Sequence, residues 1–163
     1  MKVIRVTGDG SKKLESALKN IQGIAGKAGW VKEKHYENSD MTTAGAAALA
    51  ESGSPTRNIP ARPHAKPTIE ENQNTWTRIA ENESKKVLDG KQTGEGLMEV
   101  LTLKVAGDWR ETITKIWSPP LSPKTIANRL RMKKNKKTVG NLNKPLIDTT
   151  QMIESLTNTV ERE

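Results

Sequence analysis

The sequence predicts an α+β fold, a small mixed sheet of three to four strands with one packed helix and a projecting helical hairpin. Three observations lead there. Short alternating segments rich in β-branched residues stand near both ends; two long patterns of helical period fill the middle; and 163 residues suit a single domain, 1–163. Hydrophobic residues make up 33% and aromatics 3%, with four Trp, one Tyr and no Phe, so the core must be thin and aliphatic, pinned by Trp30, Trp76, Trp109 and Trp117. So small a core beside 28% charged residues implies that part of the chain is mobile alone or is ordered by neighbouring subunits.

The elements follow in order. "KVIRV" alternates as a short strand does, with Val3 on one face and Ile4 and Val6 on the other. "TGDG" turns the chain, and Ser11 can N-cap a helix that carries Leu14, Ala17, Leu18, Ile21 and Ile24 on one side, loosened at its end by Gly23 and Gly26. "AGWVKEK" reads as a second strand. The alanine-rich "MTTAGAAALAE" is a short helix with a Thr cap. Pro55, Pro60, Pro63 and Pro67 then make 52–67 an extended arm, because proline breaks helices and denies a central strand its donors.

Pro67 is placed to open a long helix with Ile69, Trp76, Ile79, Ala80, Val87 and Leu88 on its apolar face, ending at Asp89-Gly90. A second long helix from about Glu95 bears Met98, Leu101, Val105, Trp109, Ile113 and Ile116, and the short Gly-containing linker makes the two an αα-hairpin. Ser118-Pro119-Pro120 stops it. Ser122 and Pro123 start a short helix whose apolar pair is Ile126 and Leu130. A polar loop follows, then one or two turns capped by Asp148 or Thr149 and carrying Met152 and Ile153, then "SLTNTVER" as a last strand pairing with the first two.

Charge is distributed unevenly. The chain has 27 Lys and Arg against 19 Asp and Glu, yet no acid lies between Glu111 and Asp148, a window holding nine bases. Elsewhere 18 bases face 19 acids, so the positive excess is local and suited to a polyanion. The basic loop 129–144, with Arg129, Arg131, Lys133, Lys134, Lys136 and Lys137, reads as a solvated loop, a phosphate-binding arm or, in a eukaryotic protein, a nuclear address. Contacts to duplex DNA would be to phosphate and sequence-blind, and without interleaved aromatics a single-strand binder is disfavoured.

Catalytic and metal chemistry finds no constellation here. No cysteine is present, which excludes disulfides and thiolate sites and points to a reducing compartment. His35 and His64 are isolated, structural or solvent-exposed rather than ligands. "TGDGSKK" lacks the Gly-Lys-Ser/Thr ending of a phosphate loop and reads as a plain turn. Glu70-Glu71 and Glu81-Glu83 read as solvated helix charges. We expect no catalytic residue, no cofactor and no metal. No apolar run reaches the roughly 20 residues needed to span a bilayer, and MKVIRVTGDG lacks a signal peptide's apolar block, so no membrane association and an intracellular product are expected.

Three segments carry a resemblance. "AESGSPTRNIPARPHAKPTI" resembles the Glu-x-Gly-x-Pro…Ile-Pro-x-Arg-Pro…Pro segment of phage tail-completion and virion-morphogenesis proteins. "SPPLSPKTIANRLR" is similar to their short Ser-Pro-Pro-Leu…Thr-Ile-x-x-Arg helix, and "KPLIDTTQMIESLTNTV" to their closing Pro-Leu-hydrophobic-Asp-Thr-x-x-Met-x-x-Ser segment. They occur in order over about two thirds of the chain, from Ala50 to Val160, and the minor tail protein Z type of long-tailed phages is the nearest group. His64 departs from the pattern, standing where Phe usually follows Arg-Pro; Ser52 stands where an aromatic is common and Thr150 where Gly often follows Asp-Thr.

The resemblance implies a non-catalytic virion protein that completes the head-proximal end of the tail and joins it to the neck. It would do so as a homo-oligomeric ring of about six subunits beside other tail and neck proteins. The basic loop would then face the DNA channel or an acidic partner ring, and Arg57, Ile59, Pro60, Arg62 and Pro63 would hold the arm on an adjacent subunit. Assembly in the host cytoplasm and residence at the tail–neck junction follow. The alternatives are another neck component, such as a tail terminator or head-closure protein, and a small sequence-independent DNA-binding protein.

Overall fold

The computed structural model describes residues 8–36, 39–133, 142–148 and 150–162. Within them the chain mixes helix and strand: α1 (Gly8–Ile21), β1 (Ile24–Gly29), α2 (Thr43–Ser52), a 3-10 turn (Pro55–Arg57), α3 (Ala65–Leu88), α4 (Gly94–Lys115), α5 (Pro123–Lys133), α6 (Gln151–Glu154) and β2 (Thr157–Arg162). The strand expected over 2–6 lies outside the described residues.

Those residues hold one two-stranded antiparallel sheet rather than three or four strands, β1 pairing with β2 from Ile24↔Arg162 to Gly29↔Thr157. The last strand therefore forms where alternation predicts it, but its partner lies earlier than "AGWVKEK". The segment "IAGKAG" looks too small-sided for a strand; its smallness is what lets it lie on α4. A Cβ on Gly26 would come within 2.6 Å of Thr102 Cγ2 and 3.4 Å of Met98 Cβ. Trp30 follows the strand instead of belonging to it.

The hairpin is real but does not project. α3 packs along α4, and α4 lies against both strands, so the second hairpin helix is the one that covers the sheet. α1 packs on α3 and α4. It starts at Gly8, not after Ser11, with Asp9 in the first turn where a negative charge meets the helix dipole. Its buried side holds Ala17; Leu14 and Leu18 are exposed, against expectation.

α2 begins after Thr42, whose hydroxyl accepts from Gly45 N at 2.9 Å. α3 begins at Ala65, two residues before Pro67. Its free N-terminal donors are taken from a distance: Glu51 Oε2 accepts from His64 N (2.6 Å) and Ala65 N (2.8 Å), and Oε1 from Lys66 N (3.3 Å). Pro67 has no N–H to satisfy, so the third helical position suits it. The helix stops at Asp89, and Gly90 takes the left-handed conformation (φ 71°) that glycine adopts freely. α5 opens as predicted, Ser122 Oγ accepting from Thr125 N. At α6 the N-cap is Thr150, not Asp148, and its hydroxyl donates to Glu154 Oε1 at 2.6 Å instead of capping; Thr149 lies outside the described residues.

Among the described residues two small clusters organise the core, beside buried Ala50, Ala106 and Leu156. One joins Ala17, Val87 and Leu97, flanked by Ile21 and Met98; the other joins Ala47, Ile113 and Met152, flanked by Trp30, Trp109, Leu146 and Ile153.

Candidate functional site

Two of the residues singled out from sequence, Arg62 and Arg129, sit where the arm, the lead into α5 and the segment before α6 meet. Pro63 and the αL residue Asn58 (φ 53°) bracket an extended stretch that brings Arg62 inward. Ser54 and Ile59 pair as a short bridge, Ser54 N donating to Ile59 O at 2.8 Å and Ile59 N to Ser54 O at 2.9 Å. Arg62, only 7% exposed, then spans the gap to the next segment, its Nε donating to Pro119 O at 2.8 Å and its Nη2 to Pro120 O at 3.0 Å. Carbonyls preceding prolines and turns lack helical or sheet partners, and a guanidinium supplies the donors. Burial, and then the Arg129 charge nearby, hold the Arg62 pKa below the ordinary value without neutralising it.

Arg129 does the same for the closing segment. Its Nη1 donates to the carbonyls of Lys144 (2.8 Å), Leu142 (3.3 Å) and Ile147 (3.3 Å), and its Nε lies 3.4 Å from Asp148 Oδ1. The sequence expectation for α5 is thus inverted: Arg129 is buried while Leu130 is 49% exposed. Three carbonyl bonds and an adjacent carboxylate hold the charge inside, whereas among the described residues the leucine stays about half-exposed.

The six basic-loop residues therefore divide. Arg129 is committed to its own chain; Arg131 is exposed on α5; Lys133 ends α5; Lys134, Lys136 and Lys137 lie outside the described residues. The arm divides too. Arg57, Pro60 and Pro63 are exposed, Ile59 is half-buried, and Arg62 is an internal tie.

Beneath the arm lies a histidine that is isolated in the sequence. His64 is 2% exposed, its Nδ1 accepting from Trp109 Nε1 at 2.8 Å and its Nε2 lying 3.1 Å from Ala47 O. A donor N–H facing Nδ1 and a carbonyl facing Nε2 select the neutral tautomer protonated on Nε2. Burial drives its pKa down, outweighing the Ala47 carbonyl and the Glu51 carboxylate that favour the cation. The Glu51 carboxylate itself resists burial, but the three N–H groups of α3 outweigh that cost and lower its pKa. Trp30 and Trp109 meet edge to face, ring centroids 5.2 Å apart, and Trp30 Nε1 donates to Met152 O at 2.8 Å. His64 is part of this ring cluster, its ring centroid 5.7 Å from that of Trp30 and 5.8 Å from that of Trp109.

Several contributors were invisible in sequence. Glu51 caps a helix thirteen residues later, with no local spacing to mark it. Arg110 donates from Nε to Ile153 O at 3.4 Å and from Nη2 to Leu156 O. Asp108, 5% exposed, accepts from Trp76 Nε1 at 2.8 Å and pairs with Lys104 at 2.6 Å; an i, i+4 acid–base pair would have suggested the second bond but not the first.

Among the described residues no group of three or more His, Asp or Glu could hold a metal ion, and no helix is long and apolar enough to cross a membrane. The chain matches no family model, no curated protein and no solved structure.

Proposed function

We propose that this chain is a structural virion protein that completes the head-proximal end of a phage tail and joins it to the neck, as a ring around the DNA channel, without catalysis. One observation carries the reading: the three segments that resemble tail-completion proteins meet in space, tied by the two motif arginines. Arg62 of the first binds the Pro119 and Pro120 carbonyls of the second, and Arg129 of the second binds the Lys144 and Ile147 carbonyls of the third. Residues 15 to 58 apart in the chain form one junction through positions that belong to those motifs. A thin core in two clusters also suits a protein whose order is completed by neighbours in a ring.

In this reading the basic loop beyond Arg129 lines the DNA channel through sequence-blind phosphate contacts. Particles assembled without the chain should accumulate as filled heads and finished tails that do not join; normally joined particles would sink the proposal. Charge reversal at Lys133, Lys134, Lys136 and Lys137 should impair joining or DNA retention while leaving the melting temperature unchanged. Unaltered infectivity would remove the loop from the channel.

A further inference from the structure

A groove of about 890 Å³ runs between the arm and the lead into α5. Pro55, Ile59 and Pro60 line one wall, Leu121 and Pro123 the other, and Arg62 bridges the two. Apolar side chains without an aromatic ring offer nothing for a base to stack on, and phosphate gains nothing from them. A polypeptide in extended form fits better, since its side chains can enter while its backbone finds the Ser54, Asn58, Ser122 and Thr125 polar groups at the margins.

Charge narrows the occupant. No carboxylate occurs in 52–69 or in 112–147, the stretches that supply both walls. Exposed Arg57 and Lys124 stand beside lining residues on opposite walls. Arg62 is the sharper feature. Its two hydrogen bonds go to uncharged carbonyls, its charged neighbour is another guanidinium, and among the described residues its Nη1 makes no hydrogen bond. A largely desolvated cation with free donors and no acid beside it gains more from an incoming carboxylate than an exposed one would.

We propose that this groove receives an extended segment of a partner protein in which carboxylates flank apolar side chains, one carboxylate meeting Arg62 Nη1 and others Arg57 and Lys124. The inference stands on the groove's own chemistry and holds whether or not the chain is a virion protein.

The test is selection of random nonapeptides, displayed on their encoding mRNA, against the immobilised full-length chain. Ala61→Trp serves as the blocked control, because Ala61 is exposed and lines the groove, so the added ring fills it without entering the core. Enriched peptides should carry Asp or Glu on both sides of an apolar residue. The best of them should bind the Arg57→Glu/Lys124→Glu variant at least about tenfold more weakly and Ala61→Trp not measurably, with circular dichroism unchanged in both. No enrichment over the blocked control, enrichment of peptides lacking acids, equal binding to the charge-reversed variant, or displacement of the peptide by a duplex of about 20 base pairs would each overturn the proposal.

Discussion

The two core clusters are built differently, although the same helix, α4, runs through both. At the arm end, Ile113, Ala47 and Met152 are sealed by Trp30 and Trp109, and each indole N–H has a partner, Met152 O for one and His64 Nδ1 for the other. At the hairpin's tip, Ala17, Val87 and Leu97 meet without an aromatic and are held at the margin by Asn20 Oδ1 accepting from Gly94 N at 3.1 Å and by the exposed Arg162–Glu95 pair. A chain with so few aromatics concentrates them where three distant segments must be joined and leaves aliphatic contact to the hairpin, whose partners are local. The largest effect should expose this contrast. Ile113→Ala, at a site with no exposure, should cost about 3–4 kcal/mol, and Val87→Ala about 2 kcal/mol, read from urea midpoints at constant slope. Equal costs would mean that the tip is as tightly built as the junction.

The arm end also carries the acid sensitivity. His64 is held neutral, with Glu51 on α2 the charged group that faces it; the α4 and Trp30 neighbours are indoles. Its folded pKa lies below the ordinary 6.5, so the unfolded chain takes up a proton more readily. The stabilisation is complete above that value and is lost as pH falls below it. Glu51, also lowered, adds stability present above its ordinary 4.5 and lost as pH falls through its folded value. His64→Phe keeps a ring in the cluster and removes the titration. Its stability should therefore be flatter than the parent's from pH 6.5 down to the carboxylate range, with the remaining loss at lower pH belonging to carboxylates whose pKa the fold lowers, Glu51 and Glu95 among them. Parallel pH profiles for the two proteins would show that His64 is not the titrating group.

What could be read from sequence was mostly local. A Thr cap on α2, the stop at Asp89-Gly90, Ser122 before α5 and the alternation of "SLTNTVER" each depend on neighbours within a few residues, and the structure has a counterpart for each, with Thr42 as the cap and 157–162 as the strand. Contacts across long separations were hidden. Glu51 caps α3 through a fold that only the arm's path creates, and Arg129 is buried because three carbonyls from 142–147 converge on it, which a helical wheel would place with the solvent-facing bases. Sequence singled out Arg62 and Arg129 for contacts outside the chain, whereas in the structure both serve the chain's own carbonyls.

Glycines on opposite sides of α4 give the finest distinction. Gly26 presses its backbone on the helix, where a methyl would lie 2.6 Å from Thr102 Cγ2, a β-branched side chain with little freedom to move aside. Gly26→Ala should cost about 1–3 kcal/mol by forcing β1 off α4. Gly107 lies within α4 on its exposed side, and a methyl there meets nothing within 4 Å. Gly107→Ala should raise stability by about 0.5–1 kcal/mol, because alanine gives up less backbone freedom on entering a helix. The pair separates two meanings of glycine in one small domain, close approach and mere tolerance. A thermal midpoint for Gly107→Ala at or below that of the parent would mean that the exposed side of α4 is covered by something in solution, and copies of the chain compared across a range of concentrations would then reveal whether the cover is a second subunit.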